Sequence, residues 1–189
     1  VIIATEGEHM IDLQPLLDEH DIEIRSKADG PKDIWWHRLA FWVGRKFTDG
    51  FDTRFATALG RTVYLPKNID PDSTRAYALL RHEVVHVLQW LKWGWWYKLS
   101  YALIFPMFVT MRAWWEFGGY TQNALLEHER WGDSPRWAIK RAKFVDWMVD
   151  VFCTKTYGWM LPSETLVRHL WNKRLDAIEQ GDIEGFSYL

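Results

Sequence analysis

His82-Glu83-Val84-Val85-His86 has the residue types and the spacing of a metal-dependent hydrolytic site. On a helix, side chains at i and i+4 lie one above the other on the same face. Two imidazoles placed that way can direct ring nitrogens at one tetrahedral zinc ion. The pattern is H-E-x-x-H, in which the glutamate stands beside the ligands without binding the metal. Glu83 is then the general base that takes a proton from the attacking water, and Zn2+ is the expected cofactor.

A catalytic zinc site has three protein ligands and one open position, so a third ligand must come from elsewhere. The extended pattern H-E-x-x-H-x-x-G-x-x-H needs Gly at 89 and His at 92, but the chain has Gln89 and Lys92. That arrangement is excluded. The best remaining candidate is Glu116, the only acidic residue between Glu83 and Glu127. Its neighbours, Trp114, Trp115 and Phe117, are apolar, and an isolated carboxylate is costly to bury there. Arg112, at i−4, offers an alternative partner. Tyr120, at i+4 from Glu116, is a candidate donor to the oxyanion of a tetrahedral intermediate. A plain packing role for Tyr120 stands equally. His128, in Glu127-His128-Glu129, is a rival third ligand. Asp146 and Asp150 are weaker ones, expected to face water or a basic neighbour.

The motif needs a helix to hold it. Asp70-Pro71-Asp72-Ser73 is a helix start with Asp72 or Ser73 as cap, and the helix runs on to about Trp90, with Gly94 at or just beyond its end. Before it, residues 51–66 read as a small hairpin that turns at Gly60 and stops at Pro66. Asp21-Ile22-Glu23-Ile24-Arg25 alternates as a short strand. A short helix or loop is expected over residues 11–20. A helix over residues 32–47 follows from Trp35, Leu39, Trp42 and Val43 at helical spacing. Further helices are expected over about 108–131, about 135–152 after Ser134-Pro135, and from Leu161-Pro162-Ser163 to before Gly181. No repeat or linker divides the chain. The fold class is α+β, mostly helical, with a small antiparallel β element before the central helix. The expectation is one domain over residues 1–189.

The net charge is −2, which excludes an electrostatic footprint for nucleic acid. One cysteine, Cys153, permits no internal disulfide and suits a reducing, cytoplasmic setting. Val1 to Glu6 lacks the basic lead and long apolar run of a signal peptide. Fourteen tryptophans are many for 189 residues. They read first as core and groove fillers, and second as an aromatic surface for a membrane or partner. Leu99 to Met111 carries no charge, holds Pro106, and lies between Lys98 and Arg112. A spanning helix needs about 20 apolar residues, so this stretch is too short. It reads as a buried turn and core segment, with peripheral membrane or virion contact through residues 95–115 as the rival.

His82 through His86 with a later Glu116 resembles the gluzincin class of zinc metallopeptidases, whose third ligand is a glutamate on a second helix. Leu59-Gly60-Arg61-Thr62-Val63-Tyr64-Leu65-Pro66, His82 to Gln89, and Arg112-Ala113-Trp114-Trp115-Glu116 with Tyr120 are similar to small metallopeptidase-like proteins of bacteria and their phages. The likeness covers about residues 55–125, with a weaker echo at Tyr157 to Pro162. It implies a zincin-like fold, His82, His86 and Glu116 as zinc ligands, Glu83 as base, and a peptide or protein substrate. It also implies that the strand near Thr62–Leu65 borders the cleft and could pair with an extended peptide. In many gluzincins an acidic residue follows the third ligand and orients a histidine. Here Phe117-Gly118-Gly119-Tyr120 stands in that place, so the histidines need another orienting partner. A non-enzymatic reading also stands: a virion-associated interaction protein that keeps zinc as scaffold and works through its Trp-rich segment 90–115.

Overall fold

The computed structural model describes residues 12–102, 106–154 and 160–182. The readings of Val1–Glu6 and of Tyr157–Trp159 lie outside the described residues. The described chain is mostly helical with one small sheet, as its patterning predicts. It divides into two compact units, Val1–Leu91 and Lys92–Leu189.

Among the described residues, the first element of the first unit is α1 (Gln14–Glu19), which carries Pro15 in its first turn. Next come β1 (Glu23–Ser26), a 3-10 turn (Lys27–Asp29) and α2 (Trp35–Phe47). The hairpin is β2 (Thr57–Leu59) and β3 (Thr62–Leu65), turning at Gly60 with φ of 63°. A left-handed φ of this kind is strained for residues with a Cβ. The strand order is β1-β3-β2. β2 pairs antiparallel with β3, and β1 adds to the other side in parallel, with Glu23 opposite Thr62 and Ser26 opposite Leu65.

This topology corrects one expectation. β3 is the middle strand, so Thr62–Leu65 has no open edge for an extended peptide. Parallel pairing with β1 occupies the edge that the hairpin alone would leave free.

α2 packs inward through His37 and Phe41, both buried, while Trp35, Leu39, Trp42 and Val43 stay exposed. Phe41 makes edge contacts with Phe51 and Tyr64 at 5.4 and 4.9 Å between ring centroids. Gly44 leaves room for the Phe51 ring, which a Cβ at that position would overlap. The Tyr64 hydroxyl accepts from the Lys32 amide (3.0 Å) and shares a hydrogen bond with His37 Nδ1 (2.8 Å).

α3 (Thr74–Trp93) is the long helix that carries the motif. Ser73 caps it, its Oγ accepting from the Ala76 amide at 3.2 Å. Val84, Val85 and Val87 are fully buried. Valine is a weak helix former, so burial rather than propensity holds this part of the helix. Gly94, with φ of 57°, follows its end.

The second unit holds α4 (Trp95–Ala102), α5 (Pro106–Trp131), α6 (Trp137–Cys153) and α7 (Glu164–Glu179). Pro106 opens α5, where its missing N–H costs nothing. Leu99 lies half exposed on α4, which corrects its reading as part of a buried core segment. The core joins α5, α6 and α7 around Phe144, Met148, Phe152 and Trp171. Phe117 stacks on Trp171 with ring centroids 4.2 Å apart. Ser163 caps α7 by accepting from the Leu166 amide at 3.3 Å. Arg141 on α6 clamps α7 by donating to Asp176 (2.6 Å) and Glu179 (2.7 Å).

Candidate metal centre

His82 and His86 sit one turn apart on α3, as the spacing requires, and both are buried. Their Nε2 atoms lie 3.2 Å apart. Two nitrogens bound to zinc at about 2.05 Å with a tetrahedral angle stand about 3.3 Å apart. That separation is compatible with two imidazoles sharing one zinc ion, and equally with a hydrogen bond between the rings. Their donor set, borderline-soft nitrogen, also suits zinc.

Gln89 supplies the orienting partner that sequence reasoning left unassigned. Its Oε1 lies 2.9 Å from His86 Nδ1, and Gln89 is 1% exposed. An amide oxygen only accepts, so Nδ1 carries the proton and Nε2 keeps its lone pair. A ligating histidine needs this tautomer. The signal was available: Gln89 is at i+3 from His86, on the same helix face.

Glu83 follows His82 on α3 and is half-buried. It acts electrostatically on Lys27, a second residue that sequence reasoning missed. Lys27 belongs to the 3-10 turn after β1 and is 2% exposed. Its Nζ donates to the carbonyl oxygens of Phe51 (2.6 Å) and Phe55 (2.8 Å) and lies 3.5 Å from the Phe51 ring centroid. Burial lowers its pKa to about 8, while the charges of Glu83 and Asp52 oppose that shift. The candidate base thus lies within electrostatic reach of a buried cation. A lysine in a turn ordinarily reads as a solvated surface residue, so nothing in the sequence marks it.

Glu116 and Tyr120 lie on α5, one turn apart, and both are buried. Glu116 is 3% exposed, as its apolar flanks predict. The Tyr120 ring packs into the core of the second unit, 5.4 Å from Trp147 and 5.9 Å from Phe152. His128 is half-buried further along α5, its ring 5.2 Å from Trp137. At 1.5 Å per residue, about 18 Å of helix separates it from Glu116, so the two cannot share one ion. Asp146 pairs with Arg168 at 2.6 Å, and Asp150 is exposed, as expected of residues facing a basic neighbour or water.

The profile of one protein family, described as the eCIS core domain, matches residues 48–94. No curated protein and no solved structure matches the chain at a significant level. The matched span holds β2, β3 and all of α3, with His82, Glu83, His86 and Gln89. Over that quarter of its length the chain is similar to the eCIS core domain, which suits the phage-like part of the resemblance drawn from the sequence.

Proposed function

We propose that this chain is a zinc-dependent hydrolase, a metallopeptidase, working in the setting of a phage-like contractile injection system. The observation that carries the reading is the pair of Nε2 atoms 3.2 Å apart, with His86 held in the ligating tautomer by Gln89. His82, His86 and Glu116 would hold the ion. For Glu116, the support is a carboxylate at 3% exposure in an apolar stretch, where a cationic partner offsets the cost of burial. The similarity of residues 48–94 to the eCIS core domain supports the setting.

When bound, zinc supplies Lewis-acid polarisation of the scissile carbonyl and a more acidic water. Glu83 accepts the proton of the attacking water and passes it to the leaving amine. A donor role for Tyr120 toward the oxyanion is separated from its packing against Trp147 and Phe152 by Tyr120→Phe, which keeps the ring. With β3 enclosed, an extended substrate has the outer edges of β1 and β2 for pairing. The test is Glu83→Gln assayed on a peptide library with zinc content measured alongside. The proposal predicts unchanged zinc and hydrolysis reduced by about 10²–10⁴. Full activity in Glu83→Gln would defeat it. So would wild-type protein that cleaves nothing in the library while fully zinc-loaded, which would favour zinc as a scaffold only.

A further inference from the structure

The tryptophans of residues 93–96 and 114–115 fall into two sets. The inner set is pinned. Trp115 is 2% exposed, its Nε1 donates to Ser100 Oγ at 3.0 Å, and its ring meets those of Tyr97 and Trp93 at 5.3 and 5.9 Å. Tyr97 and Ser100 therefore define the side of α4 that faces α5. On a helix of 3.6 residues per turn, Trp95 and Leu99 fall on the opposite side. They are 78% and 52% exposed, with Trp96 at 50% on the flank. Trp114, next to the pinned Trp115, is 68% exposed. On α4, Trp95, Trp96 and Leu99 exposed together in this way mark an interaction surface rather than a scatter of single residues.

The charges identify the partner. Between Glu83 and Glu116 the chain has no acidic residue, and the cations Lys92 and Lys98 flank Trp95 and Trp96 in the sequence. Lys98 Nζ lies 5.0 Å from the Trp95 ring centroid, so cation and indole stand side by side. Tryptophans flanked only by cations fit the headgroup layer of an anionic membrane, where indoles sit at the interface and basic side chains reach the lipid phosphates. A fluid lipid surface also accepts protruding rings without a complementary pocket. No helix among the described residues is long and apolar enough to cross a membrane, so the contact is interfacial.

We propose that the outer face of α4, with Trp95, Trp96 and Leu99, docks on an anionic membrane surface. The proposal is independent of the zinc reading.

The test is flotation of the full chain with vesicles of phosphatidylcholine alone and of phosphatidylcholine mixed with phosphatidylglycerol. Wild-type protein floats with the mixed vesicles, less with the neutral ones, and is released by salt. Trp95→Ser/Trp96→Ser and Lys92→Glu/Lys98→Glu each weaken binding to mixed vesicles by about tenfold or more. Ile139→Ser, an equally apolar change at an exposed position on α6, leaves it unchanged. Circular dichroism and melting of each variant establish that the fold is kept, and the charge variant stands as the test if the tryptophan variant is unfolded. Absence of flotation overturns the proposal. So does flotation of both folded variants equal to that of the wild type, or a wild-type dimer that Trp95→Ser/Trp96→Ser converts to monomer without any lipid binding, since the face would then belong to a second copy of the chain.

Discussion

Replacing Gln89 with leucine keeps most of the side-chain volume and removes its hydrogen bond to His86. That bond joins Oε1 to His86 Nδ1 at 2.9 Å. Gln89 is 1% exposed and His86 5%, so water has no easy access to the vacated position. A buried imidazole N–H left without an acceptor costs about 1–3 kcal/mol. Part of that cost falls on the metal-free fold, which loses the same bond. The remainder falls on the zinc complex, where Nδ1 must stay protonated for Nε2 to ligate. Loss of an orienting partner of this kind weakens metal binding by about 10–100-fold, and the shared cost in the metal-free state points to the lower end. Competition against a chromophoric chelator reads the affinity, and urea unfolding of the metal-free protein reads the structural part. Gln89→Leu is expected to bind zinc about tenfold more weakly and to unfold at lower urea. Unchanged zinc affinity in the variant would refute the assignment of Gln89 as the group that holds His86.

Three further outcomes follow from named contacts. Glu116→Gln weakens zinc binding in the same chelator competition by more than Gln89→Leu does, whereas His128→Ala leaves it unchanged; the reverse result would move the third ligand to His128. Gly44→Ala drives a Cβ into the Phe51 ring and costs about 1–3 kcal/mol by overpacking, read as a lower urea midpoint. Lys27 has a folded-state pKa of about 8 against its ordinary 10.5, so between those values the unfolded chain holds more protons and stability rises with pH. The cost of burying the ammonium is fully present below about pH 8 and is relieved by pH 10.5, so wild-type protein gains stability over Lys27→Met across that interval, as urea unfolding at several pH values would show.

The sequence made the motif helix legible because its signals are local. Ser73 caps α3, Gly94 follows its end, and the i, i+4 spacing brings His82 and His86 together. Gly60 and Pro66 marked the hairpin for the same reason. The parallel pairing of β1 with β3 was not legible, since it joins residues nearly forty positions apart and leaves no mark in either strand's alternation. The helical spacing of Trp35, Leu39, Trp42 and Val43 identified α2 but marked its exposed side. The inward side is His37, Phe41 and Gly44, which work through a hydrogen bond to Tyr64, a ring contact and a missing Cβ rather than through apolar bulk. The tryptophans divided in the same way. Trp115, Trp137 and Trp171 fill cores, while Trp35, Trp42, Trp95, Trp96 and Trp114 are at least half exposed. Composition alone cannot sort them, because burial depends on which helix face meets a neighbour.

The central claim is a zinc ion held by two imidazoles and one carboxylate. Zinc-edge X-ray absorption on the full chain, after loading and exhaustive dialysis, tests it most directly. The predicted result is one zinc per chain, with two imidazole nitrogens at about 2.0–2.1 Å and a carboxylate oxygen among the remaining ligands. Loss of the metal on dialysis, or a retained zinc whose ligands do not include two imidazoles, would contradict the claim.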